Sequence, residues 1–174
     1  TGVQTCALPI SDAAGTRRDP PPDAVVAFAA ADARWIAGER VASGALRSVA
    51  TLAVTRGDSA VRLRAAPGAA LATIAARTRL RFRCHLPAGT RSLTVQVGNA
   101  RDGRNYAWTL RAPPTAAWTL IDIALADLRA TDASGDAPRA GAALFDCYII
   151  GDRAALGPFL IADVVLADAP GDAP

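Results

Sequence analysis

The sequence predicts one all-β domain, an antiparallel β-sandwich of the jelly-roll type with roughly eight or nine short strands. Three observations support this prediction. Apolar residues recur with period two rather than 3.6, although Ala is abundant enough to suggest helix. Gly and Pro turn signals return about every 8 to 12 residues. A length of 174 residues suits a single domain with one core. The chain therefore needs no second domain.

The two ends of the chain differ from the part between them. Thr1–Ile10, TGVQTCALPI, resembles the in-frame translation of a sequencing adapter and is excluded from the fold prediction. Residues 11–23 contain three successive prolines and predict an extended linker. Residues 167–174, ADAPGDAP, predict the start of a second linker. We therefore expect the β-sandwich over residues 24–166, as a fragment of a longer protein.

The first half of the predicted domain contains three strands before its clearest alternating segment. These strands are Ala24–Phe28, Leu46–Val54 and Ala60–Arg64, with a turn at Gly57-Asp58 between the last two. Residues 66–77 are rich in Ala and predict a loop with a short strand.

Strict alternation is clearest in Arg79–Leu86, RLRFRCHL. One face of this predicted strand carries Leu80, Phe82, Cys84 and Leu86, and the other carries Arg79, Arg81, Arg83 and His85. Turn residues at 87–90 and 99–103 flank the next alternating run, Ser92–Val97, and a third strand follows at Asn105–Leu110. The pattern predicts three consecutive antiparallel strands.

The remaining strands follow Pro113-Pro114, which ends the third of these strands. They are predicted at Trp118–Leu125, Leu144–Ile150 and Phe159–Leu166, with a polar Gly/Pro loop over residues 130–142.

Composition excludes several classes of function. The formal net charge is +3, but all 19 basic residues are Arg and they are spread along the chain among Asp residues, so we expect no nucleic-acid partner. No apolar run is long enough for a membrane helix. An enzyme is not expected, because the chain has one His, one Glu and no G-x-S-x-G motif. Asp122 and Asp127 are acidic, but they form no pattern typical of a glycoside hydrolase. Cys84 and Cys147 fit either buried thiols or a disulfide.

The order of features from residue 79 to residue 166 resembles the galactose-binding-like jelly-roll modules found among carbohydrate-binding modules. Trp118–Asp127 matches a "W-x-x-V-x-I-x-L" strand followed by Asp, and Phe159–Leu166 matches the closing "F-x-I-D-D-V-x-L" strand. The second Asp of that closing motif is Asp163, whereas Ala162 stands in place of the first. The resemblance implies a non-catalytic carbohydrate-binding module of a larger extracellular or cell-envelope bacterial protein. It also implies a structural Ca²⁺, for which Asp163 and Asp58 are the candidate ligands; no other cofactor is expected.

The expected partner is an oligosaccharide or polysaccharide. Arg81, Arg83, His85 and Gln96 are predicted to hydrogen-bond to it, and Tyr106 and Trp108 are predicted to stack on its rings. Two alternatives stay open. Tyr106 and Trp108 share one strand face with Leu110, which equally suits the core. The domain could also dock against other domains of its parent chain without binding glycan. Trp118 is expected to serve packing.

Overall fold

The computed structural model describes residues 24–50, 58–99, 102–152 and 157–168. Within these ranges the chain forms 14 strands in two antiparallel sheets. In chain order the strands are β1 (Ala24–Phe28), β2 (Trp35–Ala37), β3 (Glu39–Arg40), β4 (Leu46–Arg47), β5 (Val49–Ala50), β6 (Ser59–Arg64), β7 (Ala72–Thr73), β8 (Thr78–His85), β9 (Ser92–Asn99), β10 (Asn105–Arg111), β11 (Trp118–Ala124), β12 (Arg129–Ala130), β13 (Ala143–Gly151) and β14 (Leu160–Asp168). A short 3-10 turn, Leu125–Asp127, follows β11. The predicted all-β sandwich is confirmed.

The smaller sheet, here sheet I, has the strand order β11-β8-β14-β4-β3, and β1 pairs with the end of β14. The larger one, sheet II, has the order β12-β10-β9-β13-β6-β2, with β5 beside β6 and β7 beside β13. The strands of five or more residues within the described ranges are the eight long elements β1, β6, β8, β9, β10, β11, β13 and β14.

The core lies between the inward faces of the two sheets. Leu80, Phe82 and Cys84 enter it from β8. Leu93, Val95 and Val97 enter it from β9. The alternation in the sequence therefore predicts the buried side of each strand correctly, because successive side chains point to opposite faces of a sheet.

The prediction of three consecutive antiparallel strands is correct for β9 and β10 but wrong for β8 and β9. β8 pairs with β11 and β14 in sheet I, whereas β9 pairs with β10 and β13 in sheet II. The residues between them cross from one sheet to the other, and a turn closed by Thr90 Oγ1 donating to the Pro87 carbonyl at 2.8 Å lies on that crossing. Alternation identifies the buried face of a strand but does not identify the strand beside it.

Ser48 interrupts the long strand predicted at Leu46–Val54. The Ser48 backbone N–H donates to the Phe159 carbonyl at 2.9 Å, and its hydroxyl accepts from the Phe159 N–H at 2.9 Å. The same hydroxyl lies 3.2 Å from that of Ser59. Because Ser48 binds Phe159 just before β14 and contacts Ser59 in β6, this segment divides into β4 in sheet I and β5 in sheet II.

Some predictions fall beyond the described residues. The adapter-like segment and the linker at 1–23, residues 51–54 of the predicted strand, Gly57 of the predicted turn and residues 169–174 lie outside them. β14 extends to Asp168, two residues beyond the predicted end of the domain. No helix in the described ranges has the length and apolarity needed to span a membrane.

Candidate functional site

Three predicted ligand residues lie together on the outer surface of sheet I. The outward side chains of β8, β11 and the bulge of β14 form a surface called the Arg83 face: Arg79, Arg81, Arg83, His85, Trp118, Asp122 and Asp163. Trp118 pairs in register with His85, and their rings lie 5.9 Å apart in an edge-to-face arrangement. The Arg83 guanidinium lies 5.3 Å from the Trp118 ring centroid. Trp118 thus packs as expected, but against the outer face of its sheet.

The charges of the Arg83 face are held by one another. Arg79 Nε lies 2.6 Å from Asp122 Oδ1, and Arg81 Nε lies 3.2 Å from Asp122 Oδ2. Arg83 Nε lies 2.7 Å from Asp163 Oδ2, and the Arg83 side chain is only 3% exposed. Guanidinium groups held in this way support the sheet surface more than they offer donors to a ligand.

Tyr106 and Trp108 face the interior from the other sheet. In β10 they stand opposite Val97 and Val95, which belong to the core. Tyr106 is 2% exposed, and its hydroxyl donates to Asp102 Oδ2 at 2.8 Å. Trp108 is half-buried against the core. The core alternative matches this packing. The predicted stacking platform beside Arg81, Arg83 and His85 does not assemble, since β8 and β10 belong to different sheets.

Gln96 points away from the core on sheet II. Its register places it between Ala107 of β10 and Tyr148 of β13, and Tyr148 in turn pairs with Arg62 of β6. This outward surface is called the Tyr148 face and comprises Arg62, Arg64, Thr94, Gln96, Asn105, Thr109, Phe145, Asp146 and Tyr148. Gln96 is therefore the one predicted ligand residue on this face.

A row of side chains crosses the centre of the Tyr148 face. Gln96, Tyr148 and Arg62 lie on three adjacent strands, which are about 4.8 Å apart. The Arg62 guanidinium stacks over the Tyr148 ring at 4.4 Å from its centroid. A second row of hydroxyls lies beside the first, where Thr94 Oγ1 and Thr109 Oγ1 are 3.0 Å apart. The face thus combines an aromatic ring with amide, guanidinium and hydroxyl groups.

A second aromatic ring extends this surface. β13 has an irregular register between Leu144 and Asp146, and Phe145 occupies this position. A Cβ at Gly98 would lie 2.9 Å from Phe145 Cε1 and 3.4 Å from the Asn105 side-chain oxygen. The ring therefore lies across Gly98, where only the absence of a side chain leaves space for it.

Burial and charge set the electrostatics of the Tyr148 face. Asp146 is 4% exposed, and its Oδ1 accepts a hydrogen bond from Arg62 Nε at 3.0 Å. This hydrogen bond raises the pKa of Arg62. Burial, with the Asp146 charge as a smaller cause, raises the pKa of Tyr148. Tyr148 is therefore a neutral phenol at physiological pH, and Arg62 is a fixed cation.

The sequence prediction did not find Arg62, Phe145, Asp146 or Tyr148 as site residues. The signal was present, since Arg62 and Arg64 alternate with buried Val61 and Leu63. Asp146 and Tyr148 flank Cys147, which points to the core. What the sequence lacks is the pairing of β6 with β13, which joins segments more than 80 residues apart.

The residues predicted to hold Ca²⁺ do not fit a calcium site. Asp163 lies in the irregular part of β14 with a φ of 54°, and its carboxylate already pairs with the Arg83 guanidinium. Asp58 immediately precedes β6, on the other sheet. Across the described ranges, no group of three or more His, Cys, Asp or Glu side chains is close enough to hold a metal ion. Ca²⁺ binding stays a prediction that these side chains do not support.

In the described part of the chain, neither Cys84 and Cys147 nor the cavity between the sheets forms a ligand site. Cys84 and Cys147 are buried free thiols, so the disulfide alternative is not realised here. A cavity of about 10 Å³ remains between the sheets, lined by apolar side chains that include Phe28, Leu80 and Ile149. That volume suits about one water molecule and is far too small for a sugar.

The loop after β12 is tied to the beginning of β10. Arg104 lies 3.3 Å from the Asp132 carboxylate and 3.0 Å from that of Asp136. Since Tyr106 and Trp108 point inward, this loop forms no shared concavity with them. Among the described residues, the open candidate surface is therefore the Tyr148 face.

Comparisons with known proteins show the fold. No protein-family model matches the chain, and no curated protein sequence matches it. Among solved structures, the chain is similar to PfGH50B (TM-score 0.52, 11% identity, covering 84% of this chain and 23% of that one). It is also similar to the family 11 carbohydrate-binding module from Clostridium thermocellum, solved in complex with a β-1,3-1,4-mixed-linked tetrasaccharide (TM-score 0.50, 10% identity, covering 88% and 95%).

A third similar structure is the agarase AgWH50C (TM-score 0.50, 11% identity, covering 94% of this chain and 26% of that one). The chain therefore spans about a quarter of PfGH50B and of AgWH50C. It spans nearly the whole of the family 11 module. These likenesses, and the two packed antiparallel sheets, establish that the chain has the jelly-roll β-sandwich fold of carbohydrate-binding modules.

Proposed function

We propose that this domain is a non-catalytic carbohydrate-binding module and that it binds its glycan on the Tyr148 face. The observation that carries the proposal is the row formed by Gln96, Tyr148 and Arg62 across three adjacent strands. An aromatic ring can pack against the apolar side of a pyranose, while flanking polar groups fix its orientation.

The Tyr148 face suits a ligand better than the Arg83 face does. On the Arg83 face, the Arg83 side chain is only 3% exposed because it is closed between Trp118 and Asp163. On the Tyr148 face, Asn105 and Thr109 are exposed, and Tyr148 and Gln96 are half-buried. An open surface across several strands gives an extended glycan chain a place to lie, with weak affinity because little ligand area is buried.

We also propose that the domain is one part of a larger protein. The family 11 module was solved with a bound tetrasaccharide, and PfGH50B and AgWH50C are each about four times the length that this chain matches. We infer that the domain serves as an accessory module of a larger extracellular bacterial protein, where it holds a polysaccharide near other domains. Docking to those domains without glycan remains the competing function.

The test compares aromatic substitutions on the two outer faces. The full chain, Tyr148→Ala, Gln96→Ala and Trp118→Ala are each assayed for binding to a panel of neutral and acidic polysaccharides by affinity electrophoresis and titration calorimetry. We expect Tyr148→Ala to weaken binding at least about tenfold, as the loss of a central aromatic anchor does. Gln96→Ala is expected to weaken it less, and Trp118→Ala to retain it.

Thermal melts establish that each variant is folded before its binding is interpreted. Tyr148→Phe serves as the conservative variant, because it retains the ring and should retain most of the affinity. Loss of binding in Trp118→Ala alone would move the site to the Arg83 face. A wild-type chain that binds no polysaccharide in the panel would overturn the proposal and leave the docking function as the better explanation.

A further inference from the structure

The ionised groups of the Tyr148 face are distributed unevenly between buried and exposed positions. Its cations are Arg62 and Arg64, two residues apart on β6 and therefore on the same side of the sheet. Among the described residues of this face, Asp146 is the acid. The side chains that define this face therefore carry a formal charge of +1, from two guanidinium groups and one carboxylate.

The Asp146 carboxylate is bound by arginine side chains of the neighbouring strand, β6. Arg62 Nε lies 3.0 Å from Oδ1 and 3.2 Å from Oδ2, so one guanidinium spans both oxygens. Arg64 Nε adds a longer contact of 3.9 Å to Oδ2. With a side chain 6% exposed, Asp146 has little surface left to accept hydrogen bonds from a ligand.

Arg64, unlike Asp146, is well exposed to solvent. Its side chain is 49% exposed, and its contact with Asp146 runs through Nε, so its two terminal nitrogens extend beyond that contact. Arg62 is 22% exposed, and its guanidinium lies over the Tyr148 ring, 4.4 Å from the ring centroid. Among the side chains that define this face, a ligand therefore meets two cations and neutral polar groups, while the one carboxylate, Asp146, is buried.

This arrangement selects by charge. A neutral glycan presents hydroxyls, which donate as well as accept, and carboxylates on a protein are strong acceptors for them. A guanidinium has five donors and no acceptor, and its fork matches the paired oxygens of a carboxylate or sulfate group. Because Asp146 already pairs with Arg62, one positive charge remains on the face. An anionic group on a glycan would compensate that charge at Arg64, whereas a neutral glycan leaves it uncompensated.

We propose that the ligand of the Tyr148 face is an acidic glycan, whose carboxylate or sulfate group binds Arg64 beside a sugar ring packed on Tyr148. This inference rests on the proposed carbohydrate-binding function and narrows its ligand class. The two anionic groups share one chemistry here, an oxyanion that accepts from a guanidinium fork, and the experiment separates them.

The test uses matched charged and neutral polysaccharides with the full chain. Polygalacturonate is compared with its methyl ester, and dextran sulfate with unmodified dextran, by affinity electrophoresis and calorimetry. We expect one of the charged polymers to bind at least about tenfold more tightly than its neutral counterpart, with affinity that falls as salt is added. Binding to the first identifies a carboxylate ligand, and binding to the second identifies a sulfate.

Three variants distinguish a specific contact from general attraction between opposite charges. Arg64→Gln should weaken binding to the charged polymer about tenfold or more. Arg64→Lys keeps the charge without the fork and should recover part of the affinity. Arg79→Gln, on the Arg83 face, removes the same charge from the whole protein and should change affinity by no more than about twofold.

The outcomes separate this inference from the proposed function. Tighter binding of a charged polymer, lost in Arg64→Gln and kept in Arg79→Gln, supports both. Equal binding of charged and neutral polymers overturns the acidic ligand and leaves carbohydrate binding intact. Equal losses in Arg64→Gln and Arg79→Gln show nonspecific charge attraction and overturn the site. No binding to any polymer overturns both proposals.

Discussion

At the scale of single residues, Thr119 carries a polar group with no apparent role. Its side chain is 1% exposed inside sheet I, and no described residue is within hydrogen-bond distance of its Oγ1. We expect Thr119→Val to stabilise the protein by about 1–2 kcal/mol, because it removes a buried hydroxyl that has lost its water. The free energy of unfolding, measured by urea denaturation, checks this prediction.

Thr78 provides the matched control for Thr119. It is also buried, but its hydroxyl accepts from the Ala75 N–H at 2.7 Å and donates to Asp168 at 2.9 Å. Thr78→Val should therefore destabilise the protein by about 1–3 kcal/mol, since it leaves polar partners unsatisfied. A loss of stability in Thr119→Val similar to that in Thr78→Val would show that the Thr119 hydroxyl is bonded.

Two buried thiols should make the protein sensitive to alkali. Burial raises the pKa of Cys84 and Cys147 from 9.0 to about 12. The unfolded chain therefore loses these protons first, and the stability contributed by the neutral thiols is complete below pH 9.0 and lost as pH rises towards about 12. Urea denaturation over a series of pH values should show a decline across this window, smaller in the Cys84→Ala, Cys147→Ala double variant.

Thiol chemistry gives an independent readout of the same burial. The thiolate is the reactive form, so neither cysteine should react with iodoacetamide in the folded protein at neutral pH, and both should react in urea. The experiment uses a Cys6→Ser background, because Cys6 lies outside the described residues. Rapid labelling of either thiol in the folded state would contradict the prediction.

At the scale of elements, Gly151 at the end of β13 allows Phe159 to approach the sheet. A Cβ at Gly151 would lie 2.9 Å from Phe159 Cδ1, and Phe159 is 1% exposed. We expect Gly151→Ala to destabilise the protein by about 1–3 kcal/mol, because the close-packed ring has no free space to move into. Thermal and urea unfolding measure the change.

Gly98 provides a comparison with Gly151, because the Phe145 ring beside it is less confined than Phe159. A Cβ there would meet Phe145 Cε1 at the same 2.9 Å, but Phe145 is half-buried on the outer Tyr148 face. Gly98→Ala should therefore cost less stability than Gly151→Ala, since Phe145 can shift outward. A Phe159→Leu change combined with Gly151→Ala should recover part of the loss. A fully stable Gly151→Ala protein would refute the close-packing explanation.

Element positions could be predicted from the sequence, because alternation is a local property. β1 has the predicted bounds, and the ends of β8 and β10 lie within one residue of theirs. Strand neighbours could not be predicted in this way. β8 and β9 lie on different sheets, although a short turn-rich segment joins them. β2 and β3 span three and two residues, too few to show a period.

At the scale of the whole molecule, the two outer faces carry the same formal charge of +1 but differ in how exposed their cations are, since Arg64 is 49% exposed and Arg83 only 3%. The sequence prediction identified the arginines of β8 correctly as an outward row. It could not show that Asp122 and Asp163 would come from two other strands to hold them. The Tyr148 face combines β6, β9, β10 and β13, whose pairing is a property of the assembled sandwich. Site residues from such distant segments have no spacing that a sequence motif could record.

The pairing of β1 with β14 also determines how the domain responds to force. Ala24 stands opposite Ala167, so the first and last strands of the described domain begin and end side by side. A pull applied through residues 24 and 168 loads the hydrogen bonds between these strands one after another, as in opening a zipper, rather than all together in shear. The sandwich would therefore yield first at β1, at low force, while sheet II and its outer surface stay intact.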